Sequence, residues 1–400
     1  MRSVNFSPYY EILNTCQLWI TEFLKNDNSI HFIEQLNDIS TDDWQKLNSS
    51  PCPFLRYDFF NALENTGCAS AKKGWQAHHL IKKSHGEVTA ILPMYLKSHS
   101  WGEYVFDWDW AEAFERYQLN YYPKLVATIP FTPVSSDKLL SSTGEMDEVF
   151  EPLISHCEHN NINSWHILFC DEIATELPED VYERNTVQFH WFNHDFRTFD
   201  HFLMTFTSRK RKNTRKERQS IVDQGIQIRA LTKNEITEKD LKFFYLTYQL
   251  TYLKRGHKPH LNEAFFKQTL SDMNENMLLV IANDEQEDIA CALFFYDDEQ
   301  LFGRYWGCIK QVNNLHFELC YYQGIEFCIN NKLQKFNPGT QGEHKIQRGF
   351  EPILTYSYHW IKHQVFKEPI KNFCLQEQKH MLAYQQQCRE LLPFKNKLTK

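Results

Sequence analysis

Two periods of apolar and polar positions alternate along this chain, and the switches between them mark its elements. In the second half, Ile226, Ile228 and Ala230 alternate with polar residues, the pattern of a half-buried strand. Thr237-Glu-Lys-Asp240 reads as a helix start. Leu241, Phe244, Tyr245, Tyr248 and Tyr252 follow at helical spacing, and Gly256 is placed to end that helix. A second helix is predicted over 262–272, then strands over 277–282, 289–296 and 301–307, separated by acidic turns. A helix over 315–330 and strands over 334–336 and 355–361 complete the order.

The first half reads as a weaker copy of that order. Strands are expected at 30–33, 78–82, 88–97, 104–107, 124–129 and 164–169, and helices at 41–47, 55–65, 111–118 and 146–160. The repeat is architectural, without a shared motif. The expected division is an extension over 1–29, domain one over 30–195, domain two over 196–375 and a helical tail over 376–400. Ile20 and Phe23 suggest an amphipathic helix in the extension. Phe199, Phe202, Leu203 and Phe206 would anchor a basic helix over 208–222 to domain two.

Composition sharpens this picture in three places. Hydrophobic residues make up 42% of the chain, which excludes disorder throughout. Aromatic residues make up 15%, enough to line pockets as well as cores. The net charge is −8, yet 209–218 holds seven basic residues against one acid, Glu217, so the remainder is strongly acidic. No run approaches the ~20 apolar residues of a membrane span. Glu11 and Glu22 interrupt the N-terminal apolar residues, unlike a secretory signal. The eleven cysteines include no C-x-x-C pair, so reduced thiols and a cytoplasmic location are expected.

Four constellations could carry chemistry. The densest is 341–350. Glu343 and His344 there are candidate proton acceptors, with Gln341, Lys345 and Arg348 as substrate contacts; a structural loop is the rival reading. His316 and Glu318 open the 315–330 helix, where a carboxylate also complements the helix dipole. Arg304 and Tyr305 lie on the strand before it. In the first half, Asp107 and Asp109 of the 104–110 stretch would point the same way on a strand. With Trp108, Tyr121 and Lys124 they could bind a cationic amine, or simply pair with Lys124 and Arg116. Arg209, Lys210, Arg211, Lys212, Arg215 and Lys216 could neutralise phosphates or form only a solvated face. No metal site is expected, and there is no G-x-S-x-G elbow, Walker A loop or H-E-x-x-H motif.

Several strings are distinctive together: PFLRYDFFNALENTG (53–67), LPMYLKSHSWGEYVFDWDWAEAFER (92–116), YYPKL (121–125), PFTPV (130–134), SRKRKNTRKER (208–218), GRYWGC (303–308), LHFELCYYQGIEF (315–327) and QGEHKIQRGFEP (341–352). In this order they resemble a bacterial family of predicted N-acyltransferases, similar to the Fem-type peptidoglycan crossbridge enzymes of the GNAT superfamily. The resemblance implies an α+β (α/β) fold of two tandem GNAT-like domains, each a mixed, mostly antiparallel sheet flanked by helices. Two central strands would splay to admit the donor. It also implies an amine acceptor, peptide-like and tied to peptidoglycan or related metabolism, and a donor that is acyl-CoA or aminoacyl-tRNA, with no tightly bound cofactor. The GNAT pyrophosphate loop, Arg/Gln-x-x-Gly-x-Gly/Ala, is matched only in part, at 304–309. A second reading stays open: a non-catalytic RNA-binding module on a decayed acyltransferase fold.

Overall fold

The structure, a computed structural model, describes residues 28–395 apart from 143, 174 and 341. The expected N-terminal helix and Gln341 lie outside the described residues. The first half contains β1 (Asn28–Ile33), α1 (Thr41–Leu47), α2 (Tyr57–Asn65), β2 (Trp75–Ala77), β3 (His79–Ser84), β4 (Glu87–Leu92) and β5 (Met94–Lys97). It continues with α3 (Trp108–Arg116), β6 (Lys124–Ala127), β7 (Leu140–Ser141), α4 (Phe150–His159), β8 (Ser164–Cys170) and β9 (Val181–Phe192). The second half opens with α5 (Phe199–Met204), α6 (Ser208–Asp223), β10 (Gln227–Thr232), α7 (Glu238–Leu253) and α8 (Glu263–Met273). Strands β11 (Met277–Asn283), β12 (Asp288–Tyr296) and β13 (Gln300–Cys308) follow. The composite helix α9 joins Leu315–Phe317, a π-helical turn at Glu318–Tyr322, and Gln323–Asn331. Then come β14 (Lys335–Asn337), β15 (Glu351–Ile361) and α10 (Gln364–Glu390).

Local chemistry explains most of these elements. Thr237 and Asp240 form the capping box that starts α7. Asn262 caps α8 through the Phe265 N–H at 2.9 Å. Strand β11 is apolar almost throughout because both its faces are covered, by α7 and α8 on one side and by the α5, α6 and α9 layer on the other.

Two sheets result, ordered β1-β3-β4-β7 and β10-β11-β12-β13-β14-β9-β15-β8-β6-β5-β2. The larger sheet interleaves the halves. Strand β9 from the first half pairs with β14, and β15 from the second half pairs with β8. The two run antiparallel to one another from Glu351↔His190 to Trp360↔Val181. Helix α10 lies along β9, where Arg184 meets Glu377 through two 2.7 Å contacts. One apolar core joins the halves: Phe59 of α2 packs on Phe265 of α8 at 5.5 Å, and Phe54 on Phe302 of β13 at 5.2 Å.

Each half contains one parallel strand pair that parts. In the second half, β13 and β14 pair only over Gln300↔Lys335 to Phe302↔Asn337. In the first half, β6 and β8 pair over Leu125↔Trp165 to Ala127↔Ile167. There the buried Lys138 ammonium bridges the chain after β6 and the end of β8, donating to Val134 O at 3.0 Å and Phe169 O at 2.5 Å. This cross-brace ties the β6 and β8 sides of the first-half pair together.

The expectation of a strand over 104–107 is overturned. Tyr104 takes a left-handed φ of 65°, and Asp107 sits at the N-cap position of α3 without a side-chain capping bond. The stretch is irregular because the Asp107 carboxylate is drawn inward to the buried Lys124 ammonium. The predicted strand over 88–97 splits at Pro93 into β4 and β5, since proline supplies no N–H to a ladder.

Candidate active site

The slot between β13 and β14 is shaped by glycine and by a bulge. A Cβ on Gly303 would stand 3.2 Å from the Pro338 backbone, so a side chain there would crowd the chain that leaves β14. Successive β12 residues Leu293 and Phe294 pair with Tyr305 and Gly303, which leaves Arg304 as the extra residue of a β-bulge. Bulges re-aim side chains beside functional sites. Here Arg304 reaches the first half and donates to Phe131 O at 2.6 Å, while its Nε is buried without a hydrogen-bond partner. Tyr305 packs instead on Tyr248 and Phe266.

Three elements meet at the mouth of the slot. Trp306 of β13 lies 5.3 Å from the His316 ring of α9, and His316 lies 6.1 Å from His344 in the 3₁₀ turn Glu343–Arg348. The Tyr321 hydroxyl and His344 Nε2 are hydrogen-bonded at 2.8 Å. The π-helical turn matters here: it brings Tyr321, five positions on, to 5.4 Å from His316. Burial, with nearby cations, pushes His316 down to about 4. Partial desolvation first, then Lys345 and Arg348, also lowers His344, which stays exposed on its turn. Both imidazoles are therefore neutral near pH 7 and able to accept a proton.

Lys345 and Arg348 brace this turn. Lys345 Nζ donates to Gly339 O at 2.7 Å and Thr340 O at 3.2 Å, which ties the turn to the chain leaving β14. Burial without a carboxylate partner pushes its pKa down to about 7. Arg348 lies 3.4 Å over the Phe317 ring and donates to His344 O at 2.8 Å and to Glu217 Oε2 at 2.8 Å. The remaining candidates of this stretch lie elsewhere. Glu343 is exposed and accepts from Tyr384 of α10 at 2.7 Å. Glu318 is buried but is taken by Arg218 at 2.9 Å and Gln323 at 2.8 Å.

Helix α6 docks against the mouth through its own charges. Glu217 accepts from Arg348 and from the Tyr322 hydroxyl, Lys210 reaches Gln347, and Arg218 bridges Glu318 and Glu326. Arg215 pairs with Asp200 at 2.8 Å. Arg209, Arg211, Lys212 and Lys216 form no ion pair among the described residues, and all but Arg211 are exposed.

The first-half candidates separate. Asp107 and Asp109 do not share a face: Asp107 is buried and Asp109 is exposed on the first turn of α3. Lys124 Nζ donates to Asp107, to Glu103 at 2.7 Å and to Ser100 at 2.8 Å. Tyr121 donates to Asp107 at 2.6 Å. The network passes through His166 to His359 of β15, whose Nδ1 atoms are 2.7 Å apart. Lys124 holds the Asp107 carboxyl far below its usual range, and burial drives both histidines to the neutral form. Asp107, Tyr121 and Lys124 thus bind one another, with Asp107 Oδ1 left buried and without a hydrogen-bond partner, and Trp108 is exposed beside Trp101.

A family model described as peptidoglycan biosynthesis/recognition, FemAB-like, matches residues 35–396, nearly the whole chain with its slot, mouth and basic helix. The chain belongs to the FemAB-like family. No curated protein matches it. Among solved structures, FemX is 11% identical with a TM-score of 0.46, over 83% of this chain and 98% of that one. A tandem GNAT protein from the clavulanic acid biosynthesis pathway is 9% identical with a TM-score of 0.44, over 83% and 97%. L-PGS from Bacillus licheniformis is 11% identical with a TM-score of 0.48, over 81% and 97%. No helix among the described residues of this FemAB-like chain is long and apolar enough to cross a membrane.

Three residues of the site escape sequence reasoning. Tyr321 is hidden by the π-helical turn, since α-helical spacing puts it on another face than His316. Glu217 reads as the odd acid in a basic run, yet it is what fastens α6 to Arg348. Trp306 reads as a core strand residue. A single acid inside 209–218 was the one available signal.

Proposed function

We propose that this FemAB-like protein is an acyltransferase that moves an aminoacyl group from aminoacyl-tRNA to an amine, and that the slot between β13 and β14 takes the donor's acyl end. The observation that carries this reading is the opening of the β13–β14 pair beside a helix with four cations unpaired among the described residues. Four such charges suit a polyphosphate backbone. The incomplete pyrophosphate loop at 304–309 argues against acyl-CoA as the donor.

The chemistry is direct. A neutral amine attacks the ester carbonyl, a C–N bond forms, and the C–O bond to the terminal ribose breaks. His344, oriented by the Tyr321 hydroxyl, takes the amine proton and returns it to the departing ribose oxygen. Lys345 and Arg348 hold the turn that carries His344. The acceptor is a peptide-like amine of peptidoglycan metabolism, in keeping with the family.

Thermal melting against two ligands tests the donor. A ligand that binds only the folded state raises the melting temperature. Aminoacyl-tRNA is expected to raise it, less so at physiological salt than at low salt. A shift with acetyl-CoA that persists in salt would replace this reading with a CoA-dependent one. An equal shift with uncharged tRNA would favour RNA binding without transfer.

A further inference from the structure

We infer that the surface built from Trp101, Phe106 and Trp108 of the first half and the 253–258 segment of the second is a docking face for an anionic lipid bilayer. Soluble surfaces seldom gather large exposed aromatics in one place. Trp101 is 54% exposed, Phe106 53% and Trp108 37%, and the two indoles lie 5.0 Å apart. None of the three belongs to an apolar core cluster among the described residues, and neither indole N–H has a hydrogen bond there. Trp101 also meets His257 at 5.7 Å, which joins the aromatic group to the segment after α7.

That segment supplies the charge. It opens with Leu253, 59% exposed, followed by exposed Lys254, Arg255, His257 and Lys258. Arg255 and Lys258 have no ion pair among the described residues, and Lys254 touches only a carbonyl, Cys308 O, at 3.4 Å. Aromatics that project beside unpaired cations are the complement of a bilayer interface: rings settle at the headgroup level while Lys and Arg meet anionic headgroups. Single-stranded RNA would use the same two ingredients, but the geometry disfavours it. Trp101 is tilted 59° to Trp108 and 52° to His257, so no parallel slot is left for a planar base. An aliphatic Leu253 adds nothing to base stacking and suits lipid. The opposing charges are Asp109, exposed on the turn after Trp108, and Glu112 and Glu115, which follow Trp108 at i+4 and i+7 on α3, Glu112 being paired with Arg116 at 2.9 Å.

Co-sedimentation of the full chain with vesicles tests this. Phosphatidylcholine vesicles containing phosphatidylglycerol are expected to retain the protein, and phosphatidylcholine alone is not. Each basic residue near an anionic surface contributes about 1 kcal/mol, so Lys254→Glu with Arg255→Glu should weaken partitioning at least tenfold. Trp101→Ser with Trp108→Ser should do the same, and Asp109→Lys should strengthen it. All variants change exposed side chains, and an unchanged melting temperature shows that they fold. Equal sedimentation of every variant, or none by the parent chain, overturns the inference. So does an indole-dependent affinity for a single-stranded RNA oligonucleotide in a chain that ignores vesicles.

Discussion

Removing Glu217 should loosen the basic helix and destabilise the mouth together, because its carboxylate is the counter-charge of a buried arginine. Arg348 is 6% exposed and has one anionic partner among the described residues, Glu217, at 2.8 Å. Taking one member from a buried pair costs about 3–5 kcal/mol, because the other charge is stranded. The Glu217 carboxylate is partly exposed, so water can enter, and about 2–4 kcal/mol is the better figure for Glu217→Leu. For 400 residues the unfolding entropy is about 0.8 kcal/mol/K, so the melting temperature should fall by about 2–5 °C. Arg348→Met should cost less, about 1–2 kcal/mol, because the remaining carboxylate keeps the Tyr322 hydroxyl and reaches solvent. The double variant should be no worse than Arg348→Met alone. Denaturant unfolding of the four proteins measures the cycle, with an expected coupling above about 1 kcal/mol. A Glu217→Leu protein as stable as the parent, with additive single effects, would refute the idea that this pair fastens α6 to the mouth.

Other outcomes follow from the same geometry. Lys345 releases its proton near pH 7 in the folded chain but near its usual 10.5 when unfolded. Between those values the unfolded state binds more protons, and stability rises with pH. Lys345→Met should remove about 2–3 kcal/mol of the rise between pH 7 and about pH 9, measured by denaturant melts at both values. His344→Gln and Tyr321→Phe should each lower kcat, by about 100-fold for His344, with little change in KM. The acid limb of the parent's rate profile should lie below the ordinary histidine value, because the His344 pKa is lowered. An unshifted limb that survives in His344→Gln would remove His344 as the proton acceptor.

The second half was nearly legible as it stood. Its strands are apolar and bounded by acidic turns, and its helices carry caps that local chemistry fixes, such as Thr237 with Asp240. Strand β9 was not legible. Val181–Phe192 carries Glu183, Arg184, Asn185 and Gln188 inside a strand, because α10 supplies Glu377 to Arg184 and Pro133 O accepts from Gln188. Such partners lie far away in sequence, and the strand reads as a polar linker without them. The strand expected over 104–107 failed for a related reason: Asp107 answers to Lys124, not to its neighbours. The site was legible as a neighbourhood and not as roles. The 341–350 cluster does reach the mouth, yet Glu343 turns outward to Tyr384 while Arg348 answers to Glu217, 131 positions away.

The most direct test of the account is equilibrium binding of aminoacylated and deacylated tRNA to the parent chain. It should be set beside a variant with Arg209, Arg211, Lys212 and Lys216 changed to alanine. The account predicts tighter binding of the aminoacylated form, because the slot takes the acyl group. It also predicts a slope of log affinity against log salt that falls by about 0.7–0.9 for each cation removed. Equal binding of the two RNAs, or a slope untouched in the variant, would contradict it.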